Sequence, residues 1–416
     1  MYRLLNIQKS ISFNKPSRLS AVLLFLLTLP AFLLSLNAYA DNQDPFNIIA
    51  GVAWQHDDNI FLVPSNFLLS PSFSRADNIT TAYVGAQLDK LYSLQEFKAN
   101  FTVTDYRYQN NTGLNFISKN YSAAWLWNLT PYLKGTLSID RRQALNSFQD
   151  YRSFTSTTLQ NVRVNQTQHF EADFSPYGVW HLLGGFTRTE ATNSQVFFEQ
   201  NNYSQNSLDA GVKYDFRSGS TLKFMGHERQ GKYGNALNPT NLYDTGFKEA
   251  EGEALLDWLV SGKSHINLRA AYVSREHDHF SQRNYSGPEG RLDYSWTPTG
   301  KIGITFSAIS DLSSYWNLDS SYTRNNTLSV SPIYAFSEKI RLKANASISE
   351  RTFLGGGVIP STHRVDDGKS ASVGIDWTPW RSLTVGGSLA RSSRSSNAPG
   401  LDYDDTTVGV DANLLF

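Results

Sequence analysis

The chain ends in TTVGVDANLLF, Thr406 to Phe416, where Val408, Val410, Ala412, Leu414 and Phe416 alternate with Thr407, Gly409, Asp411 and Asn413. Residues two apart share one face of an extended strand, whereas a helix would bring together residues three and four apart. The segment is therefore a strand with one apolar and one polar face, closed by an aromatic residue.

The same period runs through the chain. In KIRLKANASISE (339–350), Ile340, Leu342, Ala344, Ala346 and Ile348 alternate with Arg341, Lys343, Asn345, Ser347 and Ser349; in KIGITFSAIS (301–310), Ile302, Ile304, Phe306 and Ala308 alternate with Gly303, Thr305 and Ser307. A hairpin unit also recurs, as in AAWLWNLTPYLKGTLSIDRR (123–142), RLDYSWTPTGKIGITFSA (291–308) and SVGIDWTPWRSLTVGGSLA (372–390): a strand ending in an aromatic, a short turn, a second alternating strand. Longer polar segments separate the units, among them RQGKYGNALNPTNLYDTGFKE (229–249) and RTFLGGGVIPSTHRVDDGKS (351–370). Short turns alternating with long loops are the asymmetry of an outer-membrane barrel, short on the periplasmic side and long outside.

Eight tight turns contribute sixteen strands, and an opening and a closing strand raise the expectation to about eighteen, with sixteen as the lower bound. An open sheet edge in lipid leaves backbone groups unpaired at several kcal/mol each, so strands that cross a membrane must close into a cylinder. Trp127, Trp180, Trp258, Trp296, Trp377 and Trp380 sit within a few residues of tight turns, as a girdle at the membrane boundary requires. The terminal Phe416 resembles the signal that the barrel assembly machinery of Gram-negative bacteria reads.

Composition narrows the class. Residues 1–40 carry Arg3, Lys9, Lys15 and Arg18, then the apolar run Leu19 to Leu36, then Ala38-Tyr39-Ala40, the pattern of a cleaved secretory signal, which leaves 41–416 as the barrel. With no cysteine, disulfides, thiolate metal sites and cysteine nucleophiles are excluded. Net charge is zero, from 37 basic and 37 acidic residues, so no global field recruits nucleic acid. Aromatic residues reach 13%, and mean hydropathy is −0.37, which fits a β protein with large polar and apolar surfaces.

By alternation the bore carries Lys134, Arg142, Lys223, Arg269, Arg341 and Lys343 beside Asp140, Asp293 and Asp376. Of these, Lys134, Arg142, Arg269, Arg341 and Lys343 are the candidate contacts for a passing solute; the competing reading is that these charges pair with one another. A barrel of this size leaves an aqueous lumen unless something plugs it, and the sequence offers no separate plug domain. Mixed signs make a poor filter for one type of ion.

His56, Asp57, Asp58 and Asn59 stand where the first strand ends, in GVAWQHDDNIFLVPSN (51–66). Neighbouring strand residues point to opposite faces, so three of them cannot reach one metal ion without a turn. Rim residues making local Asx-type hydrogen bonds are the first reading, and a sugar contact is the second. The eight histidines are scattered, no Gly-x-Ser-x-Gly elbow occurs, and His277-Asp278-His279 lies in a polar loop, so an enzyme is not expected. No cofactor or metal is expected either. Gly355, Gly356 and Gly357 mark a candidate constriction loop or lid.

GVAWQHDDNIF, FTVTDYRYQNNTGLNFISKNYSAAWLWNLTPYLKGTLSIDRR (101–142), YGVWHLLGGFTRTEATNSQ (177–195), DWTPWRSLTVGGSLARS (376–392) and DYDDTTVGVDANLLF (402–416) together resemble the EpsL-type proteins of exopolysaccharide biosynthesis operons, grouped with β-barrel porins. The resemblance covers nearly all of 41–416, and its most specific piece is the Asp-Asp-Asn-aliphatic-Phe cluster. It implies an outer-membrane channel that exports exopolysaccharide, with the polymer, outer-membrane lipid, the assembly machinery and periplasmic export components as partners. Relatives often carry Arg where this chain has Leu62, so no charged contact transfers there. A general porin or uptake channel for small hydrophilic solutes or oligosaccharides shares every one of these features, and an outer-membrane barrel enzyme is the third class.

Overall fold

The computed structural model describes residues 44–149, 160–195, 201–315, 320–356 and 363–416. The expected signal segment, 1–40, lies outside the described residues, as does Gly357.

Eighteen strands follow one another: β1 (Phe46–Asp57), β2 (Asp77–Tyr92), β3 (Gln95–Tyr108), β4 (Phe116–Thr130), β5 (Leu133–Leu145), β6 (Val162–Phe174), β7 (Trp180–Asn193), β8 (Tyr203–Asp215), β9 (Thr221–Tyr233), β10 (Gly246–Ser261), β11 (Ser264–His277), β12 (Tyr285–Thr299), β13 (Ile302–Ser314), β14 (Tyr322–Ala335), β15 (Ile340–Leu354), β16 (Val365–Trp380), β17 (Leu383–Ser396) and β18 (Tyr403–Leu415). Each pairs antiparallel with its neighbours in sequence, and β1 also pairs with β18, from Ile49 opposite Leu415 to Asp57 opposite Thr407. The sheet is closed. The eighteen strands and eight short turns match the sequence expectation.

At the seam the backbones of Ile48 and Phe416 exchange hydrogen bonds of 2.6 and 2.8 Å. Gly51 of β1 lies between Tyr83 of β2 and Asn413 of β18, whose side chains bond at 2.7 Å across it. A Cβ on Gly51 would sit 2.5 Å from the Tyr83 ring and 2.7 Å from the Asn413 Oδ1. Glycine is what lets the two strands be tied across the first.

Register sorts the two faces. Leu256, Leu268, Leu292, Phe306, Leu328, Ile348, Val373, Leu389 and Val410 lie on one continuous face, and the large ones are 39 to 56% exposed where exposure is high. This is the lipid-facing surface, because apolar side chains turned to an aqueous bore would forfeit their transfer energy. Trp180, Trp258, Trp296 and Trp377 share it close to the short turns. Trp127 has the same facing but is covered, stacked on Phe170 at 6.1 Å.

Most buried apolar side chains of the described residues gather at the extracellular end, apart from Trp127 and Leu183 near the short turns. Ile60, Phe61 and Val63 from the β1–β2 connection pack with Leu114 and Phe148 from two other loops, and Val273, Tyr285 and Leu312 form a smaller cluster. Two buried carboxylates repeat one device there. Asp77, fully buried, accepts from the backbone N–H groups of Gln109, Asn110 and Asn111 at 2.8 to 2.9 Å, and Asp244, also fully buried, accepts from those of His279 and Phe280 at 3.0 and 2.9 Å. Each ties a neighbouring loop to its own strand.

The loop expectations need correction at their edges. The segment 229–249 is loop only between Tyr233 and Gly246, and of the candidate lid segment, 352–368, Gly355, Gly356, His363 and Arg364 fall in the described part of the β15–β16 connection, while Thr352 to Leu354 complete β15 and Val365 to Gly368 open β16. Above the membrane the outward face need not be apolar, so the alternation that marks a strand fades while the strand continues.

Candidate functional site

The bore-facing side chains of β8 to β12 form one connected charge network. Register brings Glu249 opposite both Arg229 and Arg275, and Glu251 opposite His227. Arg229 Nη1 donates to Glu249 at 2.7 Å and to Glu251 at 2.6 Å, and Arg275 Nε donates to the other oxygen of Glu249 at 2.6 Å. Arg269 donates to Glu251, to Glu253 at 2.5 Å and to Glu289 at 3.1 Å. His227 sits between Asp209 at 2.7 Å and Glu253 at 3.2 Å. Partly buried charges are stable only when paired and hydrogen-bonded, and a guanidinium fork that serves several carboxylates meets that need.

His227, Glu251 and Glu253 bring potential metal-ligand atoms within 4.8 Å of one another. The oxygens of both glutamates are already engaged by Arg229, Arg269 and His227, so a cation would have to displace guanidinium groups. The arrangement is a brace.

Above the network Arg275 lies over the Phe247 ring at 3.9 Å and the Tyr285 ring at 5.5 Å, which covers its charge with two aromatic faces. In the loops beyond, burial works against ionisation of Asp244, but hydrogen bonds from the His279 ring at 3.0 Å and from the backbone of His279, Phe280 and Thr245 hold its carboxyl below the usual carboxylate range.

The wall from β13 to β17 has another chemistry. Bore-facing Ser347 and Ser370 bond at 2.7 Å, Asn345 donates to Ser331 at 2.8 Å, and Ser307 donates to Asp293 at 2.5 Å. Lys343 pairs with Asp376, and its side chain stays 48% exposed. Further round, on β5, Arg142 pairs with Asp140 at 3.2 Å while remaining 78% exposed. Side chains this accessible do not fill the cylinder.

The candidate contact residues thus lie on the bore face as alternation places them, in different states. Arg269 is absorbed by the network, Lys343 and Arg142 have carboxylate partners, and Lys134 and Arg341 are exposed near the short-turn end. Sequence reading missed Glu249, Glu251, Glu253, Glu289 and Asp209. The run Glu249-x-Glu251-x-Glu253 carries the period-two signal, yet its partners come from neighbouring strands 16 to 26 residues away.

At the rim His56 points to the outward side and Asp57 to the bore, while Asp58, one residue past the end of β1, brings its carboxylate within 4.8 Å of that of Asp57. Asp57 Oδ1 accepts from the Asn59 N–H at 2.9 Å, the local Asx bond expected there, whereas Asp58 accepts from the Thr406 N–H at 2.8 Å and so joins first strand to last. His56 Nδ1 bonds the Asn78 side chain at 2.8 Å. Buried Asn59 donates to the carbonyls of Val63 and Asp404 at 2.8 and 2.7 Å. Asp405, 348 positions from Asp57, completes a carboxylate group with Asp57 and Asp58 that no local reading could find. A cavity of about 1380 Å³ opens beside it, between Asn59, Arg75, Lys369 and Asp404. Lys369 and Ile348 on its floor belong to the outward-facing register, so it is a groove at the rim and not the bore.

Residues 260–416 match the family described as "Putative beta-barrel porin 2". No curated protein matches the chain. Among solved structures, OccK2 (OpdF) of Pseudomonas aeruginosa, crystallised in complex with glucuronate, shares the fold with a TM-score of 0.50 and 9% identity over 89% of this chain and 98% of that one. OpdK of the same organism gives 0.49 and 10% over 90% and 99%, and a BenF-like porin from Pseudomonas fluorescens Pf-5 gives 0.49 and 8% over 89% and 98%. The chain is a porin-like β-barrel of the outer-membrane type. At such identities the likeness is one of fold, and it transfers no residue.

Proposed function

We propose that the protein is a passive outer-membrane channel for small hydrophilic solutes, oligosaccharides included. The observation that carries this reading is the pairing of a continuous apolar outer face with a bore wall of accessible hydroxyl, amide and paired charged groups. Such a wall forms many weak, exchangeable hydrogen bonds, and conduction needs contacts favourable enough to enter and weak enough to leave. The match to a porin family over the C-terminal part supports a channel and is silent on export. OccK2 was crystallised with glucuronate, a sugar acid, which supports a polar solute here by analogy of fold alone. The test is reconstitution of the purified protein into liposomes. Swelling in small sugars such as arabinose that slows with solute size supports the reading, and impermeable liposomes containing correctly folded barrel would end it.

Outward passage of an exopolysaccharide, with periplasmic export components as partners, is the second reading. It rests on the resemblance to EpsL-type proteins and on the serine- and asparagine-lined wall of β14 to β16, which suits a hydroxyl-rich polymer. Deleting the gene separates the two: loss of surface polysaccharide favours export, and unchanged polysaccharide with slower uptake of small sugars favours the porin.

A further inference from the structure

The balanced charge of the whole sequence conceals an imbalance inside the barrel. All four charged residues of 1–40, Arg3, Lys9, Lys15 and Arg18, are basic, so beyond residue 40 carboxylates outnumber basic groups by four. The register shows where part of that surplus goes. In the network on β8 to β12 the five carboxylates Asp209, Glu249, Glu251, Glu253 and Glu289 share three guanidiniums and one imidazole, all turned to the bore.

A second observation comes from two strands outside that network, β13 beside it and β18 across the barrel from it. Bore-facing Asp311 accepts from Asn325 at 3.1 Å and Ser313 at 3.1 Å, and Asp411 accepts from Asn413 at 2.6 Å. Amides and hydroxyls hold these carboxylates in place without cancelling their charge. Lys134, Lys223 and Arg341, within three residues of the short-turn ends of β5, β9 and β15, oppose them, as do Arg364 and Arg394, which share Asp366 at the loop end of β16 and β17. Lys223 comes nearest, opposite Leu255 and one same-face position along β9 from Met225, which faces Glu253, while Glu249 and Glu251 stand higher in the bore.

We infer that the bore conducts cations in preference to anions, with the row Glu249, Glu251 and Glu253 as its principal determinant. Rings and walls of carboxylates favour cation passage, and a low-dielectric wall focuses the field into the water beside it. A potential of about one kT, small beside the several kT that protein surfaces reach, enriches one sign about threefold and depletes the other about threefold. This inference rests on the channel reading and narrows its solutes to cations and uncharged polar molecules.

The experiment is a planar-bilayer reversal potential for the whole protein under a tenfold KCl gradient with the dilute side at 0.1 M. The expected result is a potassium-over-chloride permeability ratio of several-fold, which falls toward one when both sides are raised above 1 M salt, as the Debye length shrinks to about 3 Å. The triple variant Glu249→Gln, Glu251→Gln, Glu253→Gln, which leaves three guanidiniums and one imidazole with two carboxylates, Asp209 and Glu289, is expected to reverse the sign. Should that variant fail to fold, Asp311→Asn, which loses charge but keeps its amide and hydroxyl partners, is expected to lower the ratio measurably. Conductance with a potential of zero, or one directed toward chloride, overturns the inference and leaves the channel reading intact. Folded protein without conductance overturns both.

Discussion

Two five-strand stretches of the bore wall, β8 to β12 and β13 to β17, make the same use of backbone and different use of side chains. From β8 to β12, Arg229, Arg269 and Arg275 are locked into glutamates whose exposure is 5 to 11%, so the charges act on the wall first and on a passing solute through their field. From β13 to β17 hydroxyl and amide side chains predominate beside the Lys343–Asp376 pair, with one buried group, Arg364, Asp366 and Arg394, at the loop end, and the hydroxyls leave capacity for a solute. The difference teaches that one side of the barrel is braced and the other is presented, although alternation alone would call both simply polar.

The comparison breaks most sharply at Arg269. Replacing it by alanine leaves Glu251, Glu253 and Glu289 without their shared donor in a partly buried setting, and breaking such a group costs about 3 kcal/mol or more. Urea unfolding in lipid vesicles, followed by tryptophan fluorescence, is expected to show the loss. A midpoint equal to that of the parent would mean that the network braces nothing.

A smaller effect is expected at Asp244, which ties a loop above the braced side. Its carboxyl is held below the usual range, so its stabilisation is present above the unfolded carboxylate value of about 3.9 and is lost as pH falls through the folded value. Protection of the His279 and Phe280 amides, their exchange measured against the intrinsic rate at each pH, is therefore expected to be high at pH 6 and to fall below pH 4, with Asp244→Asn low at both. Equal protection at both pH values in the parent would sever that link.

The smallest effect on stability belongs to the other wall. Ser347→Ala with Ser370→Ala removes one hydroxyl pair from a solvated surface and is expected to shift stability by no more than about 0.5 kcal/mol. Its readout is solute transit: sugar dwell times in single-channel recordings should shorten. A strong loss of stability would make this wall a second brace and erase the contrast.

Much of this fold was legible because lipid demands a period of two. Ile340 to Ile348 revealed their faces, and each short turn announced itself by Pro, Gly or Ser after an aromatic residue. The strand ends were not legible, since Gln230 and Lys232 of β9 continue the strand with polar side chains facing outward and no apolar face to mark them. The charged wall was half legible: parity put Arg269 in the bore, but its three carboxylate partners depend on which strands adjoin and at what register. The rim shows the same limit, because Asp57 meets Asp405 only after the sheet has closed.

The most direct test of the closed, wet cylinder uses the absence of cysteine from the chain. Single cysteines placed from Arg341 to Ser349 in turn are treated with a membrane-impermeant maleimide in intact outer membranes. Labelling at 341, 343, 345, 347 and 349, with protection at 342, 344, 346 and 348, is the pattern required by a watery interior and a lipid-covered exterior. Uniform protection, uniform labelling or the inverse alternation would contradict it.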